Sequence, residues 1–442
     1  MKSTTIALGL LVASTEVLAY PSMAIEHIAA AAPKKERTVP RLLQEKREKE
    51  KRGDSPDFNA AAQYTSTTGE HAFVPPDFDA GDQRGPCPGL NALANHGYID
   101  HSGVDTFNNI LTGVNGAYGM ALDLAAFLAV FGTVFDGNPI SLTPGYSIGG
   151  PSDKSENILG NGLGLLGTPQ GLSGSHNKYE ADSSPTRGDQ YLFGNPYLVQ
   201  VPQAQQYIDV IPAEDTSSVT LYRENIYPFR ISRFNNSIET NPYFFFSPFA
   251  GVLVTPAGYN FPPAMMANHS AEFPEGYLNK EIMKSFFSLG GSDDAVTYTI
   301  GHERIPDNWY KRAIGDEYTI PGFLADVLEY AERDPRLLDV GGNTGTVNSF
   351  TPVDIGSLTK GVFPDGTNLL EGNNLECFSL QVVQAAVPDF LGGGISSTVA
   401  PVVELGQTIA TQLVGAGCPQ LQGIDDSVYN AYPGYQKSGS AV

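Results

Sequence analysis

Arg84-Gly-Pro-Cys-Pro-Gly-Leu-Asn-Ala-Leu-Ala-Asn-His-Gly-Tyr98 sets a cysteine between two prolines at the mouth of a helix-forming run. Pro86 and Pro88 each hold φ at about −65° and lack a backbone donor, so Cys87 sits on a stiff turn. Pro88 suits the first position of a helix, which makes Cys87 its N-cap. The amides of Gly89, Leu90 and Asn91 then point back at the sulfur. Together with the helix dipole they favour the thiolate and lower its pKa. Such a sulfur is either a nucleophile or a metal ligand. The plain alternative is a structural cysteine in a proline-rich turn, and a cysteine hydrolase lacks any histidine and amide partners marked nearby.

The 442 residues carry 48 acidic against 26 basic side chains, a net charge of −22. That balance repels nucleic acid and anionic membrane. Met1-Lys2, the apolar run Ile6 to Ala13 and Val17-Leu18-Ala19 read as a secretory signal over residues 1–19. Residues 20–52 read as a propeptide, charge-dense from Lys34 and ending in the dibasic pair Lys51-Arg52; a solvated helix face is the other reading. Its loss leaves the remainder more acidic still. The protein is expected to be secreted, with N-glycosylation sequons at Asn235 and Asn268. Tyr118 to Phe135 is the most apolar run, but Asp123 interrupts it and it is too short to span a bilayer, so it predicts a buried core helix.

No Pro/Ser-rich linker and no repeat divides the chain after Gly53, so residues 53–442 read as one domain with a polar tail after Cys418. Helical periodicity is clearest in Val104 to Phe135, Gly276 to Leu289, Phe323 to Arg333 and Val402 to Val414. Strand alternation is scarce, and the pattern predicts an all-α domain with long loops. Gly341 to Phe350 lacks phosphate-loop spacing and reads as a turn.

A second motif follows about ninety residues after Cys87: His176-Asn-Lys-Tyr-Glu-Ala-Asp-Ser-Ser-Pro-Thr-Arg187. Glu180, Asp182, Ser183 and Ser184 make a compact oxygen-rich cluster of the kind hard cations prefer. A surface Asx or ST turn capping a helix has the same composition.

Taken together, Pro86-Cys87-Pro88 with the block that follows and the Glu-x-Asp-x-Ser element resemble the fungal haem-thiolate peroxidases, the chloroperoxidase and unspecific peroxygenase family. The resemblance implies a single, mostly helical domain of chloroperoxidase type. It implies haem b, with Cys87 as axial iron ligand between Pro86 and Pro88. It also implies a divalent cation, magnesium by type, held against a haem propionate by the Glu180 carboxylate, the Ala181 carbonyl and the Ser184 hydroxyl. Asp182 occupies the acidic position of that motif. Longer members carry a C-terminal disulfide, which here would be Cys377 to Cys418. The implied function is a peroxide-driven oxidation or oxygenation of an aromatic or other apolar small molecule, with a role in fungal secondary-metabolite (mycotoxin) biosynthesis. A haloperoxidase is the alternative enzyme.

The chain departs from this family on the distal side of the haem. Peroxide cleavage needs a group that moves a proton between the two oxygens. The family uses a glutamate, partnered by a histidine or an arginine. Here Ala181 stands where the histidine would be, and no charged residue lies between Glu239 and Glu272. The candidates are then a shifted Glu272 or His269, or a water ordered by Thr255, Tyr259 or Asn260. A haem-binding protein with little turnover is a third possibility. The run Tyr243-Phe244-Phe245-Phe246, with Phe249, Tyr259 and Phe261, either lines an apolar pocket or packs the core.

Overall fold

The computed structural model describes residues 43, 46–49, 57–138, 143–155, 169–211, 219–365, 367–371, 374–375, 377–378, 381–382, 418–419, 421 and 423–438. The signal stretch, most of residues 20–52 and the helix expected over Val402 to Val414 lie outside them.

Helices dominate. The longer ones are α1 (Pro88–Asn95), α2 (Phe107–Tyr118), α3 (Leu122–Phe135), α4 (Val201–Asp209), α5 (Val219–Thr240), α6 (Thr255–Met265), α7 (Lys280–Phe286) and α8 (Ile320–Arg333), with α9 (Pro433–Ser438) near the C-terminus. The domain is helix-rich rather than purely α. Among the described residues there are four small sheets, three of two strands and one of three. The strands are β1 (Tyr64–Thr65), β2 (Val104–Thr106), β3 (Gly145–Ser147), β4 (Phe245–Phe246), β5 (Leu289–Ser292), β6 (Ala295–Tyr298), β7 (Trp309–Tyr310), β8 (Gly341–Gly342) and β9 (Thr351–Pro352). They act as ties between loops. In the β4–β8–β9 sheet Phe245 lies opposite Gly342, so the glycines expected in a turn are strand residues at this point.

The continuous periodicity of Val104 to Phe135 resolves into β2, α2 and α3. Gly119 breaks it with φ at 68°, a left-handed C-cap that an L side chain would strain. A Cβ at Gly119 would also lie 3.0 Å from that of Arg312. α3 is buried along nearly its whole length, as its composition predicts. Asp123, the interrupting charge, accepts hydrogen bonds from the amides of Leu124 and Ile320 and so helps to satisfy the open end of α8. The apolar pattern of Gly276 to Leu289 yields only the seven residues of α7. Asn279 caps its start, and Leu289 already belongs to β5. Thr319 caps α8, which buries Ile320, Phe323, Leu324, Val327, Leu328 and Ala331.

Aromatic packing fills the centre. Phe131 stacks on Phe249 with ring centroids 3.5 Å apart, and Phe234 is boxed in by Phe244, Phe246 and Phe350. Phe245 meets Tyr429, Tyr432 and Tyr435, which anchors the C-terminal segment. Cys377 and Cys418 form a disulfide. No helix of the described residues is long and apolar enough to cross a membrane.

Residues 46–49, within the segment expected to be removed, face the acidic side of α8. Lys46 Nζ lies 2.5 Å from both Asp326 and Glu329, Arg47 pairs with Glu332 at 2.6 Å, and Lys49 pairs with Asp316.

Candidate active site around Cys87

The Pro86-Cys87-Pro88 turn has the expected form. Cys87 is the extended N-cap of α1 (φ −86°, ψ 108°) and Pro88 opens the helix. Gly85 is obligatory because a Cβ there would lie 1.9 Å from the Ile148 carbonyl oxygen. The Gly85 amide donates to Asn91 Oδ1 while Asn91 Nδ2 donates to the Gly85 carbonyl, closing the turn on the helix. Asn95 Oδ1 accepts from Arg84 at 2.7 and 2.9 Å, and Asn95 Nδ2 donates to the Gly301 and Glu303 carbonyls. His96 is fully buried. Its Nε2 accepts from the Ile305 amide, so Nδ1 carries the proton that reaches the His71 carbonyl, and burial lowers its pKa to match a neutral ring. The polar residues after the cysteine thus clamp α1 to segment 301–305.

The sulfur opens into a cavity with about 1310 Å³ of empty space, its solvent-open part included. The walls come from α1, from α2 and α3 (Val114, Tyr118, Ala129), from the 172–187 loop, and from α6 (Gly258, Phe261, Met265) with Phe287. They are overwhelmingly apolar. Gly89 keeps the space beside the sulfur open, since a Cβ there would sit 4.0 Å from Sγ and 3.4 Å from Met266.

Burial raises the Cys87 pKa, opposed by the Leu90 amide, Arg187 and the Gly89 amide. Expectation and outcome differ here. The helix start acts in the predicted direction, but desolvation outweighs it, and the free thiol accepts no side-chain capping hydrogen bond of good geometry. A free nucleophilic thiolate is therefore disfavoured, whereas a coordinated metal ion deprotonates such a thiol outright. The donor set fits a metal ligand.

Glu180, Ala181 and Ser184 line the same cavity. His176 Nδ1 holds Glu180 Oε2 at 2.8 Å. Burial, and then the Asp189 charge, push the Glu180 carboxyl well above its usual range, so a cation here would relieve a real electrostatic cost. No three His, Cys, Asp or Glu side chains converge as a metal cage among the described residues. One carboxylate, one hydroxyl and a carbonyl form a partial set that suits magnesium, which completes its shell with waters and ligand oxygens. Asp182 turns away from the cavity. Its Oδ1 accepts from the Gln190 amide and its Oδ2 from Asn241 Nδ2, which also holds Asp189. Its role here is to fix the loop.

The distal candidates fare worse. Glu272 is exposed, and neither it, His269 nor Asn260 lines the cavity. His269 is buried against the Pro274 carbonyl with its pKa taken down to about 4 by desolvation. Tyr259 is spent on the Ser183 carbonyl. Thr255 alone of the proposed water-ordering residues reaches the cavity. It follows a π-helical stretch, Ala250–Val254, a distortion common at functional sites. Of the aromatic run, Phe261 is a wall residue, Phe244, Phe245, Phe246, Phe249 and Tyr259 pack the core, and Tyr243 is half-buried against Tyr191 and Lys437.

The model of the family described as Peroxidase, family 2 matches residues 71–314. An aromatic peroxidase of Fusarium equiseti, fscJ, is 42% identical over 380 residues, 86% of this chain and 85% of the relative. The chain belongs to the haem-thiolate peroxidase family. A dothistromin biosynthesis peroxidase of Dothistroma septosporum, dotB, is 38% identical over 432 residues, covering 96% of this peroxidase and 95% of the relative. An aromatic peroxygenase of Cyclocybe aegerita is 29% identical over 272 residues, 61% and 64% of the two chains. The peroxidase is thus an oxidoreductase that acts with peroxide, and its family implies haem iron.

Sequence reasoning passed over two charged residues of this peroxidase. Arg187 lines the cavity and Glu303 lies behind it, 3.2 Å away. Arg187 closes the second motif, but Glu303 lies 116 positions further along the chain. Asn235, in α5, and Asn268 are partly exposed; Asn268 is engaged by the Tyr310 amide through its Oδ1.

Proposed function

We propose that this peroxidase ligates haem b iron through Cys87 and uses hydrogen peroxide to oxidise or oxygenate a flat, apolar aromatic molecule. One observation carries the reading: the thiol and the Glu180, Ala181 and Ser184 oxygens open into one apolar cavity. Bound haem supplies peroxide O–O cleavage, which a thiolate ligand favours by electron donation. The other tasks fall to the chain. Gly89 and Leu90 present amides to the sulfur. Glu180, the Ala181 carbonyl and Ser184 would hold a magnesium-type cation beside a porphyrin carboxylate, with His176 orienting Glu180. Phe261, Met265 and Val114 exclude water and offer flat apolar walls to the substrate.

Proton handling differs from the family pattern. Thr255 Oγ1 donates to the Ala250 carbonyl at 3.2 Å, which leaves its lone pairs free to accept from a water. Thr255 therefore positions a water that carries the proton, a slower device than a carboxylate. The absence of any acid but Glu180 from the described walls also favours a second reading, haem binding with little turnover.

The relative named for dothistromin biosynthesis supports a role in secondary metabolism on a polyketide-like aromatic. Secretion after signal removal, and loss of residues 20–52 at Lys51-Arg52, complete the proposal. The ion pairs of Arg47 and Lys49 with the domain are exposed and worth roughly 0–1 kcal/mol each, so the less exposed Lys46, paired with Asp326 and Glu329, is the ionic contact that release must break.

The test is the carbon monoxide difference spectrum of the reduced protein, followed by product formation from an aromatic substrate with peroxide. A strongly red-shifted Soret band with peroxide-dependent product is expected. A thiolate band without product leaves the haem-binding reading, and chloride-dependent bleaching of a halogen acceptor marks a haloperoxidase. Absence of haem from protein made with ample haem overturns the proposal.

A further inference from the structure

Glu180 and Arg187 are the charged side chains on the described cavity walls. Arg187 is held on three sides. Nη2 reaches Glu303 Oε1 at 3.2 Å, Nη1 donates to Thr186 Oγ1 at 2.9 Å, and the guanidinium stands 5.8 Å over the Phe287 ring. Its side chain is 3% exposed and that of Glu303 0%. Glu303 is itself fixed, because its carbonyl is the acceptor for Asn95 of the thiol-bearing helix.

Stability does not account for this pair. A buried ion pair recovers at best its own desolvation, and well-packed apolar residues of the same volume do as well. Position does account for it. Arg187 lines the cavity into which the Cys87 sulfur opens and Glu303 stands 3.2 Å from its guanidinium, so a fixed positive charge and its fixed counter-charge border the sulfur's enclosure. Charges fixed in a medium of low polarisability act more strongly than they would in water.

We propose that Arg187 and Glu303 are positioning residues that set the electron density on the Cys87 sulfur when it holds iron, with Arg187 withdrawing it and Glu303 moderating the withdrawal. The inference rests on Cys87 being the iron ligand. A guanidinium serves better than an ammonium here because its planar fork meets Glu303 and Thr186 at once. Outer groups around a metal ligand tune the metal in this manner.

The experiment compares the Fe(III)/Fe(II) midpoint potential and the carbon monoxide Soret position of the haem-loaded wild type with three variants: Arg187→Gln, Glu303→Gln and the double variant. Loss of the positive charge lowers the potential and loss of the negative charge raises it. The double variant returns towards wild type. A merely structural role would move both single variants the same way, through loosened packing. Where Arg187→Gln fails to fold, the double variant is compared with Glu303→Gln, and the double variant is expected at the lower potential. Variants that keep the thiolate band without opposite shifts, or a double variant no lower than Glu303→Gln, overturn the inference. A wild type without a thiolate band overturns the ligand assignment itself, which separates the two failures.

Discussion

The Asn95 side-chain amide donates to the Glu303 carbonyl at 2.7 Å, tying the helix that bears Cys87 to the segment that holds the counter-ion of Arg187. The same amide group receives Arg84 from the strand of chain entering the cysteine turn. One residue thus fixes the thiol, its incoming chain and its electrostatic surroundings in a single frame.

Replacing Cys87 by histidine puts an imidazole nitrogen donor at the mouth of α1 in place of the sulfur. Haem content is expected to persist in part while the red-shifted carbon monoxide band disappears, read directly by difference spectroscopy. Survival of that band would place the axial ligand elsewhere.

His176→Ala releases the Glu180 carboxylate from its 2.8 Å partner. Outer-shell partners of this kind are worth about 10–100-fold in metal affinity. Magnesium titration of the holoenzyme is expected to weaken by that factor, and Glu180→Gln to weaken it further. Equal affinity in all three proteins would exclude a cation at this loop.

Thr255→Val is isosteric and removes the hydroxyl that Thr255 brings to the cavity wall, the group proposed to position a water. kcat for peroxide turnover is expected to fall about tenfold, near 1.4 kcal/mol, with KM for the aromatic substrate little changed. Steady-state kinetics at saturating substrate decide it. An unchanged kcat would remove Thr255 from the proton path.

Asp136 is 1% exposed, and among the described residues neither of its carboxylate oxygens has a hydrogen-bond partner. Burial pushes its pKa well above the usual carboxylate range. The folded state therefore holds the proton more tightly than the unfolded chain. The stability this provides is complete below the unfolded pKa of about 3.9 and is lost as pH rises through the folded value. Asp136→Asn is expected to raise stability at neutral pH by about 1–3 kcal/mol and to flatten this decline. Thermal unfolding of both proteins from pH 3 to 8 checks the sign. Destabilisation at pH 7 would show that the charged form has a partner.

Local constraint made part of this protein legible from its residues alone. Proline geometry acts on the residue and its neighbour, so the extended N-cap at Cys87 and the start of α1 follow from Pro86 and Pro88. A cluster within five positions also travels together, which is why Glu180, Ala181 and Ser184 reach one cavity as the motif suggests. Asp182 shows the limit of that reasoning. Its composition suits a ligand, but Asn241, 59 positions away, claims its oxygen.

Tertiary structure decided the rest, because it depends on which distant surfaces meet. A run of aromatics cannot show which rings face a cavity; packing against Phe131, Phe234 and Tyr429 put most of them in the core and left Phe261 at the wall. The thiol's pKa reverses direction because desolvation depends on the whole enclosure, whereas the helix dipole depends on one turn. The pairing of Arg187 with Glu303 is of the same kind. The two residues are remote in the chain, and the clamp of Asn95 and His96 on segment 301–305 holds Glu303 where Arg187 meets it.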